Sequence, residues 1–418
     1  MTGTNPAPGG RDGALLLVLS GNMVLDAIEV SLVLVALPVI ADDLGLSLLT
    51  VQWLMSGFAL GFAALLTTGP RLAARFGRRR VYFGAMLGFA LASVAGGLAD
   101  GPALLIATRV AKGACAALTA PMGLAIISTV FPEGPQRRRA VSVYSLFGAA
   151  GFTAGLLLSG ALLEYGWRWV FLVPAPVALV LLLWGLRLVP HEAHVAPPPA
   201  PAVPPPPPLA GPLPAGPPGR GHVLLRTCLG AATLNGTYHG LLLLLTFQAQ
   251  TELGLSPWLG ALALLPACVP LAVTVPFAGS LVRRHGTGRL IALGAAAPLL
   301  ACLLALWRPP SNAYLTGTLP VLLLVGAGFV LSFAALNMRA AEAVPPLRRA
   351  TAIPLYQTAV QLGAVVLLPL TAWLLTTHED RRPALALLAF AAATGLGAAL
   401  PGLRDSGRPR TLPQKEAV

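Results

Sequence analysis

Charge is scarce in this chain: Asp, Glu, Lys and Arg together make up 10% of 418 residues. A water-soluble protein of this size needs a polar surface, so this share, with a mean hydropathy of +0.76, excludes that class. Lysine is almost missing, at Lys112 and Lys415 only, while Arg, Ala, Gly and Pro abound, which points to a high-GC bacterial genome. The four cysteines (Cys115, Cys228, Cys268 and Cys302) sit in or at the start of apolar stretches without C-x-x-C spacing, which argues against a disulfide framework and a metal site. The six histidines, at 191, 194, 222, 239, 285 and 378, show none of the grouping that a membrane enzyme needs, and no cofactor is expected. The formal charge of +13 would suggest nucleic acid on a soluble protein. Here the charges lie in loops beside apolar ends, where membrane lipids are the expected partner and nucleic acid is not.

What is present is a series of apolar runs. Twelve are long enough, or nearly so, to span a bilayer: 14–40, 50–69, 80–99, 102–131, 140–163, 168–189, 222–250, 257–281, 288–306, 314–340, 350–376 and 383–401. With a cytoplasmic N-terminus, 22 basic residues fall in inside segments. These are Arg11, Arg71, Arg75, Arg78–Arg80, Arg137–Arg139, Arg187, Arg220, Arg226, Arg283, Arg284, Arg289, Arg339, Arg348, Arg349, Arg404, Arg408, Arg410 and Lys415. Only Arg168, Arg308, Arg381 and Arg382 fall outside, and this bias predicts an inner-membrane protein with both termini in the cytoplasm. The first run is too long for a signal peptide and contains Asp26 and Glu29, so it is expected to be retained.

The runs divide six and six. The expected organisation is a bundle over 1–190, a proline-rich linker over 191–220, a bundle over 221–402 and a cytoplasmic tail over 403–418. Thirteen prolines in the linker exclude a helix and favour extended, semi-rigid chain. The halves echo each other: Arg75-Phe76-Gly77-Arg78 follows run 2, and Arg284-His285-Gly286-Thr287 follows run 8. Both read as tight basic turns, and a gating-loop role is expected for Arg71, Arg75, Gly77, Arg78, Arg284 and Gly286.

Ionisable residues at membrane depth are costly and usually line a cavity. Asp26 and Glu29 share one face of run 1, and Arg109 and Lys112 share one face of run 4. At ~1.5 Å per residue, Glu29 and Lys112 lie at similar depth, with Asp26 a turn deeper and Arg109 nearer the outer side. The two pairs are expected to face each other, with Asp26, Glu29 and Arg109 in proton coupling and Lys112 as charge partner; a purely structural salt-bridge cluster is the alternative. His239, with Asn235 and Tyr238 close to it in run 7, is a cavity candidate because histidine titrates near neutrality, with a structural role as the alternative. Tyr356, Gln357, Gln361 and Asn22 are weaker ones, while Asn337, Arg339 and Glu342 are expected to close a gate or cap a helix. In run 5, Gly151, Gly155 and Gly160 form a helix-packing motif, and Pro266, Pro270 and Pro276 in run 8 predict bends.

Several blocks then carry a family resemblance. They are Leu25-Asp26 through Val35-Ala36-Leu37-Pro38, Arg71 through Arg79, Arg109 with Gly113 and Pro121-Met122-Gly123, Phe131-Pro132, Gly151 to Gly160, and Gly166-Trp167-Arg168-Trp169-Val170-Phe171-Leu172. Over about 160 residues, their order and spacing resemble the major facilitator superfamily, and within it the multidrug proton antiporters of the branch that usually has fourteen helices. The resemblance implies an all-α polytopic membrane protein with the major facilitator fold, twelve transmembrane helices in two six-helix bundles. It matches Asp26 to the acidic residue of helix 1, Arg109 to the buried arginine tied to proton coupling, and the helix 5 glycines to the antiporter motif. Departures are Pro70 for glycine, Ala74 for aspartate, Lys112 for glutamine, Leu156 for proline and Pro174 for asparagine, and the missing aspartate implies different locking of the inner loop.

The function so implied is transport, not enzymatic catalysis: a proton-driven multidrug exporter, associated with antibiotic resistance. Its partners are a hydrophobic small molecule, in some cases a cation, together with protons and lipids, and a monomer is expected. An uptake porter or facilitator for a metabolite is the nearest alternative. A non-transporting membrane sensor or a membrane enzyme is the more distant one.

Overall fold

The computed structural model describes residues 10–131, 134–189, 220–274, 277–307, 314–345 and 349–405. The proline-rich stretch 191–219 and the tail beyond 405 lie outside the described residues. Every described element is a helix. The membrane helices are α1 (Gly10–Asp43), α2 (Leu48–Leu66), α3 (Arg78–Gly97), α4 (Pro102–Val130), α5 (Pro135–Leu163), α6 (Arg168–Leu188) and α7 (Arg220–Phe247). After the interrupted α8 come α9 (Thr287–Trp307), α10 (Thr318–Glu342), α11 (Arg349–Thr377) and α12 (Arg382–Ala399).

Eleven described helices are individually long and apolar enough to cross a membrane, and α8 is the shorter twelfth. It runs as Pro257–Leu264, a 3-10 turn over Leu265–Ala267, and then Val269–Thr274 and Ala278–His285. Run 8 of the sequence is therefore a chain of short helices. The cause is proline spacing: Pro266 and Pro270 each remove an amide donor and crowd the preceding turn, so the helix cannot propagate through them. Serine caps start α2 and the first piece of α8: Ser47 accepts from the Thr50 amide at 3.2 Å, and Ser256, just before Pro257, accepts from the Leu259 amide at 3.3 Å.

The chain clusters into two compact units. One holds the described residues up to Val223 together with Thr246–Leu265; the other holds Leu224–Leu245 and the described residues from Pro266 on. Within the first, α5 lies along α1, α2 along α4, and α3 packs on α4 and α6. Thr246–Leu265 joins it through Gln250, whose amide donates to the Val35 carbonyl at 2.9 Å, and through Trp258 and Ala261 against Gly160. A π-helical turn over Gln248–Glu252 and the 3-10 turn over Leu265–Ala267 stand where the chain crosses between units. Within the second, α9 packs on α10 and α12, and α11 on α12.

Backbones approach closely where glycines meet carbonyls. A Cβ on Gly113 of α4 would collide with the Phe58 carbonyl of α2, and one on Gly363 of α11 with the Ala232 carbonyl of α7. Gly151 and Gly155 of α5 play the same part against Val24, Ala27, Ile28 and Ser31 of α1. Small residues let such helices gain dispersion contact where lipid offers no hydrophobic drive. Gly160, grouped with them in the sequence, instead receives Trp258 and Ala261.

Candidate functional site

In the first unit, α1 and α4 bring three ionisable groups together. Glu29 is 1% exposed, Arg109 1% and Lys112 0%. The Glu29 carboxylate accepts from Arg109 Nη1 at 2.5 Å through one oxygen and from Lys112 Nζ at 2.6 Å through the other. Arg109 also donates through Nη2 to the Glu29 backbone carbonyl at 3.2 Å and through Nε to the Leu54 carbonyl of α2 at 2.7 Å. Aromatic faces cover the cations: Arg109 lies 4.8 Å from the Phe58 ring centre, and Lys112 lies 4.8 Å from Phe89 and 5.8 Å from Phe171. One carboxylate thus satisfies two cations, and the triad carries one net positive charge.

Asp26, one turn away, stands apart from that triad. Its carboxylate accepts from Thr119 at 3.3 Å and from Asn22 at 3.4 Å, and it is half-buried where Glu29 is sealed. No described cation reaches it within salt-bridge distance. Both acids were expected to oppose the two cations; the geometry assigns both cations to Glu29. The reason is side-chain reach. Glutamate has a methylene more than aspartate, and arginine and lysine three residues apart converge on one acceptor. Ionised Asp26 makes the four-residue set neutral, and protonated Asp26 leaves it at +1. Thr119 was missed by sequence reasoning, though it lies seven residues beyond Lys112 on the same helical face.

The other expected cavity residues fall in the second unit, apart from Asn22. Asn235 donates to the Val360 carbonyl at 2.9 Å, tying α7 to α11. His239 Nδ1 lies 2.9 Å from the Asn235 carbonyl, and the Tyr238 ring packs edge-on against the imidazole at 5.3 Å. Gln357 donates to Asn337 at 3.0 Å, which joins α11 to α10 and gives Asn337 a bridging place. Tyr356 is 1% exposed within an apolar cluster, and Gln361 is half-buried. Among the described residues no group of His, Cys, Asp and Glu gathers that could hold a metal.

The two basic turns share one conformation. Gly77 has φ 85° and ψ 140°, Gly286 has φ 76° and ψ 153°, and each donates its amide to a carbonyl four residues back at 2.9 Å. Arg71, Arg75, Arg78 and Arg284 are exposed around them. A positive φ with ψ near 150° is an essentially glycine-only conformation that costs an L-residue about 1–3 kcal/mol, so Gly77→Ala and Gly286→Ala should each lower stability by that amount. Thermal unfolding in detergent measures it, and an unchanged midpoint in both variants would remove the argument.

A sequence model described as the Major Facilitator Superfamily matches residues 19–368. The chain belongs to that superfamily. Similar proteins include the puromycin resistance protein pur8 of Streptomyces alboniger, 33% identical over 405 residues, 84% of this chain and 79% of that protein. The cephamycin export protein CmcT of Amycolatopsis lactamdurans is 38% identical over 177 residues, 42% of this chain and 36% of that one. The multidrug efflux pump LfrA of Mycolicibacterium smegmatis is 36% identical over 190 residues, 45% of this chain and 38% of that one. Among solved structures, a bacterial homologue of the lysosomal transporter Spinster aligns with TM-score 0.71 at 19% identity, covering 96% of this chain and 99% of that one. A D-xylose–proton symporter aligns with TM-score 0.72 at 15% identity, covering 93% and 97%. At those identities the likeness is one of fold alone.

Proposed function

We propose that this superfamily member exports a hydrophobic small molecule, cations included, in exchange for protons by alternating access. It does so in a bacterial cytoplasmic membrane, with both termini inside. The names of the similar proteins, which speak of resistance to puromycin, export of cephamycin and multidrug efflux, support export. The arginine bias supports the orientation.

The observation that carries the proton step is the separation of two carboxylates three residues apart. Glu29 is held by two cations, and Asp26 has only a threonine and an asparagine. Asp26 is therefore the group that changes protonation, and Glu29 with Arg109 and Lys112 is the fixed scaffold. A proton or a cationic substrate each neutralises Asp26, and they compete for it. Exchange follows if each ligand favours a different opening of the transporter, because only differential affinity shifts such an equilibrium.

Reconstituted proteoliposomes test this with ethidium as the probe. A gradient of one pH unit is worth ~1.4 kcal/mol per proton, so it should change ethidium accumulation about tenfold per proton exchanged. Asp26→Asn should transport equally with and without the gradient. Wild-type flux that ignores the gradient rules out proton coupling, and a variant that keeps its response rules out Asp26. Cells making the protein should accumulate less ethidium, and higher accumulation would mean uptake.

A further inference from the structure

His239 offers a binding group that the proton step leaves unused. A carbonyl oxygen only accepts, so the 2.9 Å contact with the Asn235 carbonyl makes Nδ1 the donor. In the neutral ring the proton then sits on Nδ1, and Nε2 is a lone-pair acceptor. Nε2 has no partner among the described residues, and the side chain is half-buried on a helix that is otherwise largely buried. An open acceptor at membrane depth is costly against lipid, so it belongs on a face that a polar ligand or water reaches.

That acceptor ends a row of rings. Tyr238 packs against His239 at 5.3 Å and against Phe329 at 4.7 Å, and Phe329 stacks on Phe333 at 4.9 Å with 12° between planes. Phe329 and Phe333 lie four residues apart on one face of α10, both half-buried, while Tyr238 is 7% exposed and fixes their position from α7. The parallel, partly open Phe329 and Phe333 rings offer flat apolar area with little side-chain entropy to lose, and favour offset stacking of another ring. Aliphatic chains gain contact area there but not the ring-on-ring stacking.

We propose that this α7–α10 face of the second unit is a subsite for a planar aromatic ligand carrying a hydrogen-bond donor. The ring system stacks along Phe329 and Phe333, and the donor meets His239 Nε2. This names a substrate class for the exporter proposed above and rests on that reading. Equilibrium binding to detergent-purified protein needs no gradient, so it fails or succeeds independently of proton-coupled export.

The probes are ethidium and its deaminated analogue 5-ethyl-6-phenylphenanthridinium, which share the cationic ring system and its substituents and differ in the two aryl amine donors, with tetraphenylphosphonium as a cation without a fused flat ring system. Wild type should bind ethidium about fivefold more tightly than the deaminated analogue, the worth of one hydrogen bond of ~1 kcal/mol. Tetraphenylphosphonium should bind more weakly than both. His239→Phe should erase the ethidium preference while keeping the deaminated analogue within about twofold, which also reports an intact fold. Phe333→Leu should weaken both flat probes alike. If His239→Phe binds nothing, His239→Gln decides, because its amide oxygen can replace the acceptor: a restored preference supports the subsite, and binding without preference overturns it. Equal wild-type affinity for the two flat probes, a preference that survives His239→Phe, or tightest binding of tetraphenylphosphonium also overturns it.

Discussion

Glu29→Leu should yield little folded protein and no coupled transport. The substitution leaves Arg109 and Lys112 buried at 1% and 0% exposure, with backbone carbonyls and aromatic rings as their remaining contacts. Breaking a buried ion pair from one side costs about 3–5 kcal/mol, because a charge is left without compensation. Here two cations lose the same partner, and that loss is a large share of the ~5–15 kcal/mol by which a typical fold is stable. Replacing Glu29, Arg109 and Lys112 together by methionine should restore the melting temperature in detergent, since apolar residues of similar size remove the desolvation penalty with the charges. The triple variant should still fail to couple. Asp26→Asn should melt within a few degrees of wild type, because no cation depends on Asp26. A Glu29→Leu protein that expresses and melts like wild type would refute the scaffold role and return both carboxylates to equal standing.

That contrast marks how far the residues speak before any coordinates. The runs of apolar residues make the twelve-helix membrane architecture legible, because a bilayer imposes a minimum length that composition along the chain reports. Depth is legible too, since rise per residue is constant: Glu29 and Lys112 do meet. Rotation about the helix axis and side-chain reach are not. They decide that Arg109 also turns to Glu29, leaving Asp26 to Asn22 and Thr119. Likewise the Arg-x-Gly echo is visible as letters, but the matching φ of Gly77 and Gly286 is a fact of the backbone.

Other partners were hidden because main-chain atoms supply them. The Leu54 carbonyl receives Arg109, and the Val35 carbonyl receives Gln250; no side chain at either position advertises the contact. The ring row on α10 was equally silent, since two phenylalanines four apart look like ordinary membrane-facing residues until Tyr238 and His239 are placed beside them. In α8 the prolines announced bends, but where helix resumed depended on which amides still found carbonyls.

Gly113→Val should disable transport through packing rather than charge. Its position lets α4 approach α2 so closely that a Cβ would overlap the Phe58 carbonyl, and the reciprocal glycine, Gly61, meets the Val110 carbonyl in the same way. Neither obstacle is a flexible side-chain end, so the helices must separate. One turn along α4 from Gly113, Arg109 Nε reaches the Leu54 carbonyl of α2 at 2.7 Å, and a separation of about 1 Å would carry that bond beyond hydrogen-bond length. Overpacking alone costs about 1–3 kcal/mol. The freed guanidinium donor adds about 1–3 kcal/mol for a buried polar group without a partner. Helix propensity cannot rescue the variant, since replacing glycine gains at most ~1 kcal/mol. Gly84→Ala and Gly397→Ala are the controls: open space surrounds both positions, so the gain in propensity should stand and each should melt at or above wild type. Melting curves and ethidium flux on the three proteins measure the difference. A Gly113→Val protein as stable and active as the controls would mean that α2 and α4 are free to move apart, and that the Arg109–Leu54 contact is not needed to hold the cluster.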